Sequence, residues 1–190
     1  MFGDLTAIVH RKPNAVGNLG TYRRNQFRSD VLEDETVRLV SRRPFRTTGV
    51  YVLPGETVTV TRNDSSDVRV ELRVQSIRES ANAPFRSQYD RPLVLASHLL
   101  TIEPGETLEI TSATGGPIHA YFEADDLDVD LDFQNIGKHP VWRGPEDTQS
   151  FRNALDMDQY DWAEFVTPYF EVHSTAEKMR ETLAETHIGT

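Results

Sequence analysis

The chain has 190 residues, no cysteine and a formal net charge of −10, with 37% hydrophobic residues. That length suits one domain, or one domain with a short flanking segment, and buries roughly 70% of its unfolded surface without covalent staples. Without cysteine there are no disulfides or thiolate metal sites, and no apolar run reaches the ~20 residues of a membrane-spanning helix.

Charge is spread unevenly. Residues 1–46 carry nine Lys/Arg against five Asp/Glu, and residues 47–190 carry 11 against 25. Such an acidic body repels phosphate backbones, which argues against nucleic acid as a partner. The basic stretch (Arg11, Lys12, Arg23, Arg24, Arg28, Arg38, Arg42, Arg43, Arg46) could contact an anion; the simpler reading is an arm lying against its own acidic body. Met1 to Gly20 contains no continuous apolar segment, so no signal peptide is visible. The chain is either intracellular or begins downstream of a removed leader.

In chain order, residues 1–42 read as an irregular lead-in or a linker. Residues 1–28 lack periodicity and carry the breakers Pro13, Gly17 and Gly20, and a short helix is expected from Ser29 to about Val40. Residues 43–143 then read as strands. Val50 to Leu53 is a β-prone run closed by Pro54-Gly55, and Val58 and Val60 alternate with Thr57, Thr59 and Thr61. Val68, Val70, Leu72 and Val74 alternate with Arg69, Glu71 and Arg73, and further strands are expected over 93–102, 107–111, 118–122 and 127–133. The segment Leu53-Pro54-Gly55-Glu56-Thr57 is echoed fifty residues later by Glu103-Pro104-Gly105-Glu106-Thr107. Each is a type II turn launching a strand, because Pro fixes φ at the first central position and Gly takes the positive φ of the second. Two copies imply equivalent positions in two halves of one sandwich. The expected fold is mostly β, an antiparallel β-sandwich of jelly-roll type with a few short helices in the C-terminal third.

Residues 144–190 mix helix and strand. Pro145 to Leu155 has helical spacing with Phe151, Ala154 and Leu155 inward. Ser174-Thr175-Ala176-Glu177 reads as a capping box before an apolar stripe of Ala176, Met179 and Leu183, with Gly189 as the stop.

Catalytic motifs are absent from the sequence. None of the histidines (His10, His98, His119, His139, His173, His187) opens a His-Glu-x-x-His segment, the helical pair that presents two imidazoles to zinc. His173 and Glu177 are four apart but read as a loop residue and a capping carboxylate. His119 sits on a strand whose other face holds Ile118, Ala120 and Phe122, and is expected to be exposed or satisfied by a neighbour. No residue is therefore assigned to metal or to catalysis. The run Asp125 to Phe133 lacks the Gly and Glu positions of an EF-hand, and its alternation predicts a solvated face of Asp126, Asp128, Asp130 and Asp132; calcium or a basic partner is the alternative. There is no Gly-x-Ser-x-Gly and no phosphate-binding loop. Trp142, Trp162, Tyr160, Tyr169 and Phe170 crowd the C-terminal third. Core packing is their default role, with Trp142 and Trp162 the candidate glycan-stacking residues.

Several segments resemble the enhancin-like zinc metallopeptidases, which include viral enhancins, secreted bacterial mucinases and an immunomodulating metallopeptidase. They are Arg43-Pro44-Phe45-Arg46-Thr47-Thr48-Gly49-Val50-Tyr51-Val52-Leu53-Pro54-Gly55-Glu56, Arg91-Pro92, Gly115-Gly116-Pro117-Ile118, Gly137-Lys138-His139-Pro140-Val141-Trp142 and Trp162-Ala163-Glu164-Phe165, in family order over about 42–180. The resemblance implies a β-sandwich lobe beside a catalytic lobe that carries zinc and cleaves O-glycosylated, mucin-like proteins. This chain is then expected to be the non-catalytic N-terminal portion of such a secreted or cell-surface protein, with 144–190 leading toward an absent catalytic lobe. No cofactor is expected here, zinc is implied for the parent, and a glycoprotein or mucin is the partner through that parent. The alternative is a free-standing carbohydrate-binding or adhesin module.

Overall fold

The computed structural model describes residues 32–77, 94–112 and 115–185. Its main body is a nine-stranded antiparallel sheet in the order β5-β4-β8-β2-β9-β3-β7, with β1 also on β9 and β6 also on β4. The strands are β1 (Glu33–Val40), β2 (Phe45–Val52), β3 (Thr57–Arg62), β4 (Val70–Ile77), β5 (Val94–Ala96), β6 (Leu100–Thr101), β7 (Thr107–Thr111), β8 (Gly116–Phe122) and β9 (Asp128–Lys138). Two halves are joined through β9, the longest strand. It pairs with β1 along one edge and with β3 along the other, then reaches β2 at Gly137 and Lys138. Between these partner sets Asn135 takes φ 64°, a left-handed conformation that Asn tolerates better than most side chains. The sheet thus curls on itself, and its inner face closes over one apolar core that includes Val60, Leu72, Ile118, Leu131 and Phe133.

Period-two patterning accounts for these strands. In β3, Val58 and Val60 are buried while Thr57, Thr59 and Thr61 are half-buried; in β9, Val129, Leu131 and Phe133 point inward. The aspartates of β9 face outward as expected. Asp132 accepts from Thr36 and Asn63, Arg38 lies 3.5 Å from Asp130, Arg42 2.9 Å from Asp126 and Arg43 3.0 Å from Asp125. The basic arm therefore does lie against the acidic run through these arginines. Arg11, Lys12, Arg23, Arg24 and Arg28 fall outside the described residues.

The short helix expected up to Val40 is corrected: residues 33–40 are strand β1, antiparallel to β9 with Val37 opposite Leu131 and Arg38 opposite Asp130. Only Val37 on this strand is buried. A ready-made partner edge outweighs a weak helical preference in a stretch containing Thr36, Val37 and Val40. The sheet consequently begins on the N-terminal side of residue 43.

The Pro-Gly echo is real, and the two copies are direct partners. Gly55 and Gly105 take φ 82° and 79°, and each turn closes through a backbone bond, Glu56 N–H to Leu53 O at 3.0 Å and Glu106 N–H to Glu103 O at 2.9 Å. The strands they launch, β3 and β7, pair antiparallel around a local two-fold relation. Gly55 donates to Ser112 O while Gly105 donates to Arg62 O, and Thr57 meets Thr111 as Thr61 meets Thr107, each hydroxyl pair at 2.8 Å. A Cβ at Gly55 or Gly105 would find nothing within 4 Å. Gly55→Ala and Gly105→Ala should each therefore lose only the left-handed backbone penalty, about 1–2 kcal/mol. Urea denaturation should place the two midpoints close together below the parent's.

The β3–β4 connection is organised by an internal charge pair. Arg62 is fully buried, and its guanidinium donates to both oxygens of Asp64 (2.9 and 3.0 Å), to Ser66 O at 2.8 Å and to Ile102 O at 3.0 Å. Asp64 also accepts from the backbone of Ser66 and Asp130, each at 3.0 Å.

A second layer covers part of the outer face of the main sheet. It is a three-stranded sheet, β10 (Val141–Trp142), β11 (Trp162–Val166) and β12 (Glu171–Thr175), with β11 parallel to β10 and antiparallel to β12. Helices α1 (Thr148–Asp156, entered through a 3-10 turn at Pro145–Asp147) and α2 (Ala176–Glu185) pack behind it. Phe151 and Leu155 of α1 are buried as predicted, with Ala154 half-buried, and they meet Ala163, Ala176 and Met179. The start of α2 differs by one residue from the expected box. The Thr175 hydroxyl, not that of Ser174, accepts the Lys178 N–H at 3.2 Å, three positions on, as an N-cap does. Among the described residues, no helix is long and apolar enough to cross a membrane.

Candidate functional site

Strand β11 lies between two apolar surfaces, and its alternation divides its side chains between them. Ala163 and Phe165 face the helices, whereas Trp162 belongs to the cluster with Tyr51, Leu53 and Tyr160 on the main-sheet side. Glu164 has the same parity as Trp162, so a carboxylate is carried into the seam between the layers, with its side chain 0% exposed.

Groups from several elements converge on it. His119 of β8 and His173 of β12 approach Oε1 at 2.7 and 2.6 Å through Nε2 and Nδ1, and His139, just after β9, reaches Oε2 at 2.8 Å through Nε2. The Trp162 indole donates to Oε1 at 2.8 Å, and the Thr47 hydroxyl of β2 donates to Oε2. Glu171 extends the cluster: it accepts from the Thr47 N–H at 3.1 Å, lies 3.3 Å from His173 Nε2 and pairs with Arg46 at 3.1 Å.

Electrostatics fix the protonation pattern. Burial alone would raise the Glu164 pKa, but the charge of His139 and hydrogen bonds from His119, His139 and His173 hold it well below the usual carboxylate range. Facing an anion, each imidazole nitrogen must carry its proton. His173 faces a carboxylate with both ring nitrogens. Burial would lower its pKa, yet Glu164 and Glu171 override that and push it up to about 9. Two carboxylates, Glu164 and Glu171, thus sit among His119, His139, His173 and Arg46, and such close pairing is how a buried ionic cluster stays tolerable.

The histidines are not where their sequence context suggested. His119 is satisfied by a neighbour, as one of the two expectations held, but is 1% exposed. His173 is on a strand, not a loop, and faces Glu164, not Glu177. Glu164 and Thr47 stand in no catalytic or metal-binding motif, and His139 opens none. The available signal was a lone carboxylate sharing parity with a tryptophan on an apolar strand.

The two tryptophans also separate. Trp162 is 6% exposed and commits its N–H to Glu164, so it is not an open stacking platform. Trp142 is half-buried, packs on Phe165 at 5.4 Å between ring centres and donates to Thr148 Oγ1 at 3.0 Å. The exposed aromatics of this region are Tyr169 and Phe170, between β11 and β12.

Fold and seam together define a curled antiparallel β-lobe with a second layer pinned to its outer face. No protein-family model matches the chain. It is 24% identical over 166 residues, 83% of its length, to the immunomodulating metalloprotease of Pseudomonas aeruginosa, and spans 18% of that relative. The solved structure of IMPa from Pseudomonas aeruginosa in complex with an O-glycopeptide shares its fold at TM-score 0.71 and 23% identity, covering 83% of this chain and 19% of that one. The M60 catalytic domain of Clostridium perfringens ZmpC, solved with the sialyl T antigen, matches at TM-score 0.54 and 12% identity over 78% of this chain and 32% of its own. The chain is similar in sequence and fold to metallopeptidases of the enhancin-like, M60 type, and spans 18% of the length of the curated protein it matches.

The zinc implied by that kinship belongs to a His-Glu-x-x-His helix, which this sequence does not contain. The Glu164 cluster does not replace it. The Glu164 and His139 side chains are 0% exposed and that of His119 1%, so the seam offers no open coordination position for water and a peptide.

Proposed function

We propose that this chain is the non-catalytic N-terminal β-lobe of a secreted zinc metallopeptidase that acts on O-glycosylated, mucin-like proteins. The observation carrying this reading is the fold shared over 83% of the chain with IMPa, a metallopeptidase solved with an O-glycopeptide, by a sequence lacking His-Glu-x-x-His. The lobe's contribution is shape and rigidity. A curled sheet with a second layer pinned through a buried carboxylate gives a catalytic lobe a stiff surface to pack against.

The test is digestion of an O-glycosylated mucin. This chain, supplied with zinc, should leave the mucin intact on a gel, while the longest natural product containing the segment should cleave it in a chelator-sensitive way. Chelator-sensitive cleavage by this chain alone overturns the reading, and so does an inactive long product.

A further inference from the structure

We propose that the cleft between α1 and the end of β9 binds an organic carboxylate carried on a short apolar body, with Arg143 as the residue that holds the anion. The cleft has a volume of about 270 Å³ and is lined by β1, β2, the segment after β9 and α1. Pro140, Val141, Phe151 and Ala154 give it an apolar wall, and Glu35, Lys138 and Arg143 supply its charged groups. An apolar hollow with a few convergent polar groups is the usual form of a small-ligand site.

Arg143 stands apart from other arginines of the chain. Arg42, Arg43, Arg46, Arg62, Arg69 and Arg180 each hold a carboxylate at 2.9–3.1 Å. Among the described residues, the Arg143 guanidinium makes a single hydrogen bond, to Thr48 O at 3.5 Å, which leaves most of its five N–H donors open to a ligand. Two acidic neighbours are committed elsewhere. Asp147 accepts the Arg143 backbone N–H at 3.0 Å, and Glu35 pairs with Lys138 at 3.3 Å. The backbone beneath is shaped to seat this cation. The register of β2 against β8 shifts between Thr47 and Tyr51, and within that irregularity Gly49 takes φ 81°. A Cβ at position 49 would stand 2.6 Å from Arg143 Nη2, so a side chain there would displace the guanidinium. Bulges of this kind re-aim side chains beside functional sites. A guanidinium held this way matches a carboxylate bidentately, while the ligand's apolar body covers Phe151 and Ala154. This inference does not depend on the peptidase parentage: it concerns only residues of this chain.

The experiment titrates the intact chain, isotope-labelled for NMR, with N-acetyl-leucine. The backbone amides of Gly49 and Ser150 and the Nε–H of Arg143 should shift saturably, with a millimolar dissociation constant. N-acetyl-glutamic acid α-amide carries its carboxylate on a side chain, so the tighter of the two binders tells whether a peptide terminus or an acidic side chain is the better source. N-acetyl-leucinamide has the same body without the charge, and acetate has the charge without the body; each should bind at least about tenfold more weakly than N-acetyl-leucine. Arg143 is exposed, so circular dichroism can verify that Arg143→Gln folds before its affinity is compared, and a loss of at least about tenfold is expected. Arg43→Gln removes the same charge from an arginine already held by Asp125 and should bind as the parent does. No saturable shift with either carboxylate, amide or acetate binding as tight as that of N-acetyl-leucine, or a folded Arg143→Gln chain with undiminished affinity would each overturn the site.

Discussion

Glu164→Gln should destabilise the chain by about 3–5 kcal/mol, the usual cost of removing one partner from a buried ionic network. The substitution preserves shape, so packing of Trp162 and the neighbouring strands is not the cause. One carboxylate oxygen becomes an amide NH2 that must face donors in either orientation. On the Oε1 side these are His119, His173 and Trp162; on the Oε2 side they are His139 and Thr47. Each buried donor left without an acceptor costs about 1–3 kcal/mol. The loss of negative charge also removes what keeps His173 protonated from the Glu164 side, leaving Glu171 as its remaining counter-ion. Urea denaturation followed by tryptophan fluorescence measures the effect, since Trp162 reports on the seam. A loss below about 1 kcal/mol would mean that water enters the seam and that Glu164 does not pin the layers.

Asp64→Ala is the second large effect, expected at about 3–5 kcal/mol for the same physical reason in a different place. Arg62 is fully buried at the end of β3, and its guanidinium cannot discharge by losing a proton. Without Asp64 it keeps only backbone and hydroxyl acceptors, Ile102 O, Ser66 O and Ser66 Oγ. The same pair predicts an acid limb. Burial would raise the Asp64 pKa, but hydrogen bonds from Arg62, Asp130 and Ser66 drive it well below its ordinary value. A depressed folded-state pKa contributes stability that is fully present above the unfolded value of about 3.9 and is lost as pH falls below it. Denaturation midpoints measured from pH 6 down to pH 2.5 should therefore drop more steeply for the parent than for Asp64→Asn. Parallel profiles would show that Asp64 does not carry the acid sensitivity.

Much of the β-lobe was legible because its signals are local. The alternation in β3 and β9 marks the buried face with no knowledge of partners, and the two Pro-Gly turns follow from φ preferences at four residues. That the turn-strand copies pair with each other was not legible, since pairing depends on how the curl of β9 brings β3 beside β7. Strand β1 was misread for a related reason: its identity comes from the β9 edge it borrows and only weakly from its own composition.

The candidate site shows the same boundary. Composition and motif reading established the lack of cysteine, the lack of His-Glu-x-x-His and the acidic outer face, all properties of residues taken singly or at fixed spacing. Alternation on β8 also separated His119 from Ile118, Ala120 and Phe122. It could say that His119 points away from the core, but not whether that side meets water or another layer. Only the tertiary structure places β11 and β12 there, turning an outward face into a buried seam and gathering His119, His139, His173 and Thr47 around Glu164. Periodicity determines which residues share a face, because that is set by the backbone of one strand. What the face meets is decided by segments far along the chain, through the burial they provide: Glu164 lies 45 residues from His119 and 117 from Thr47.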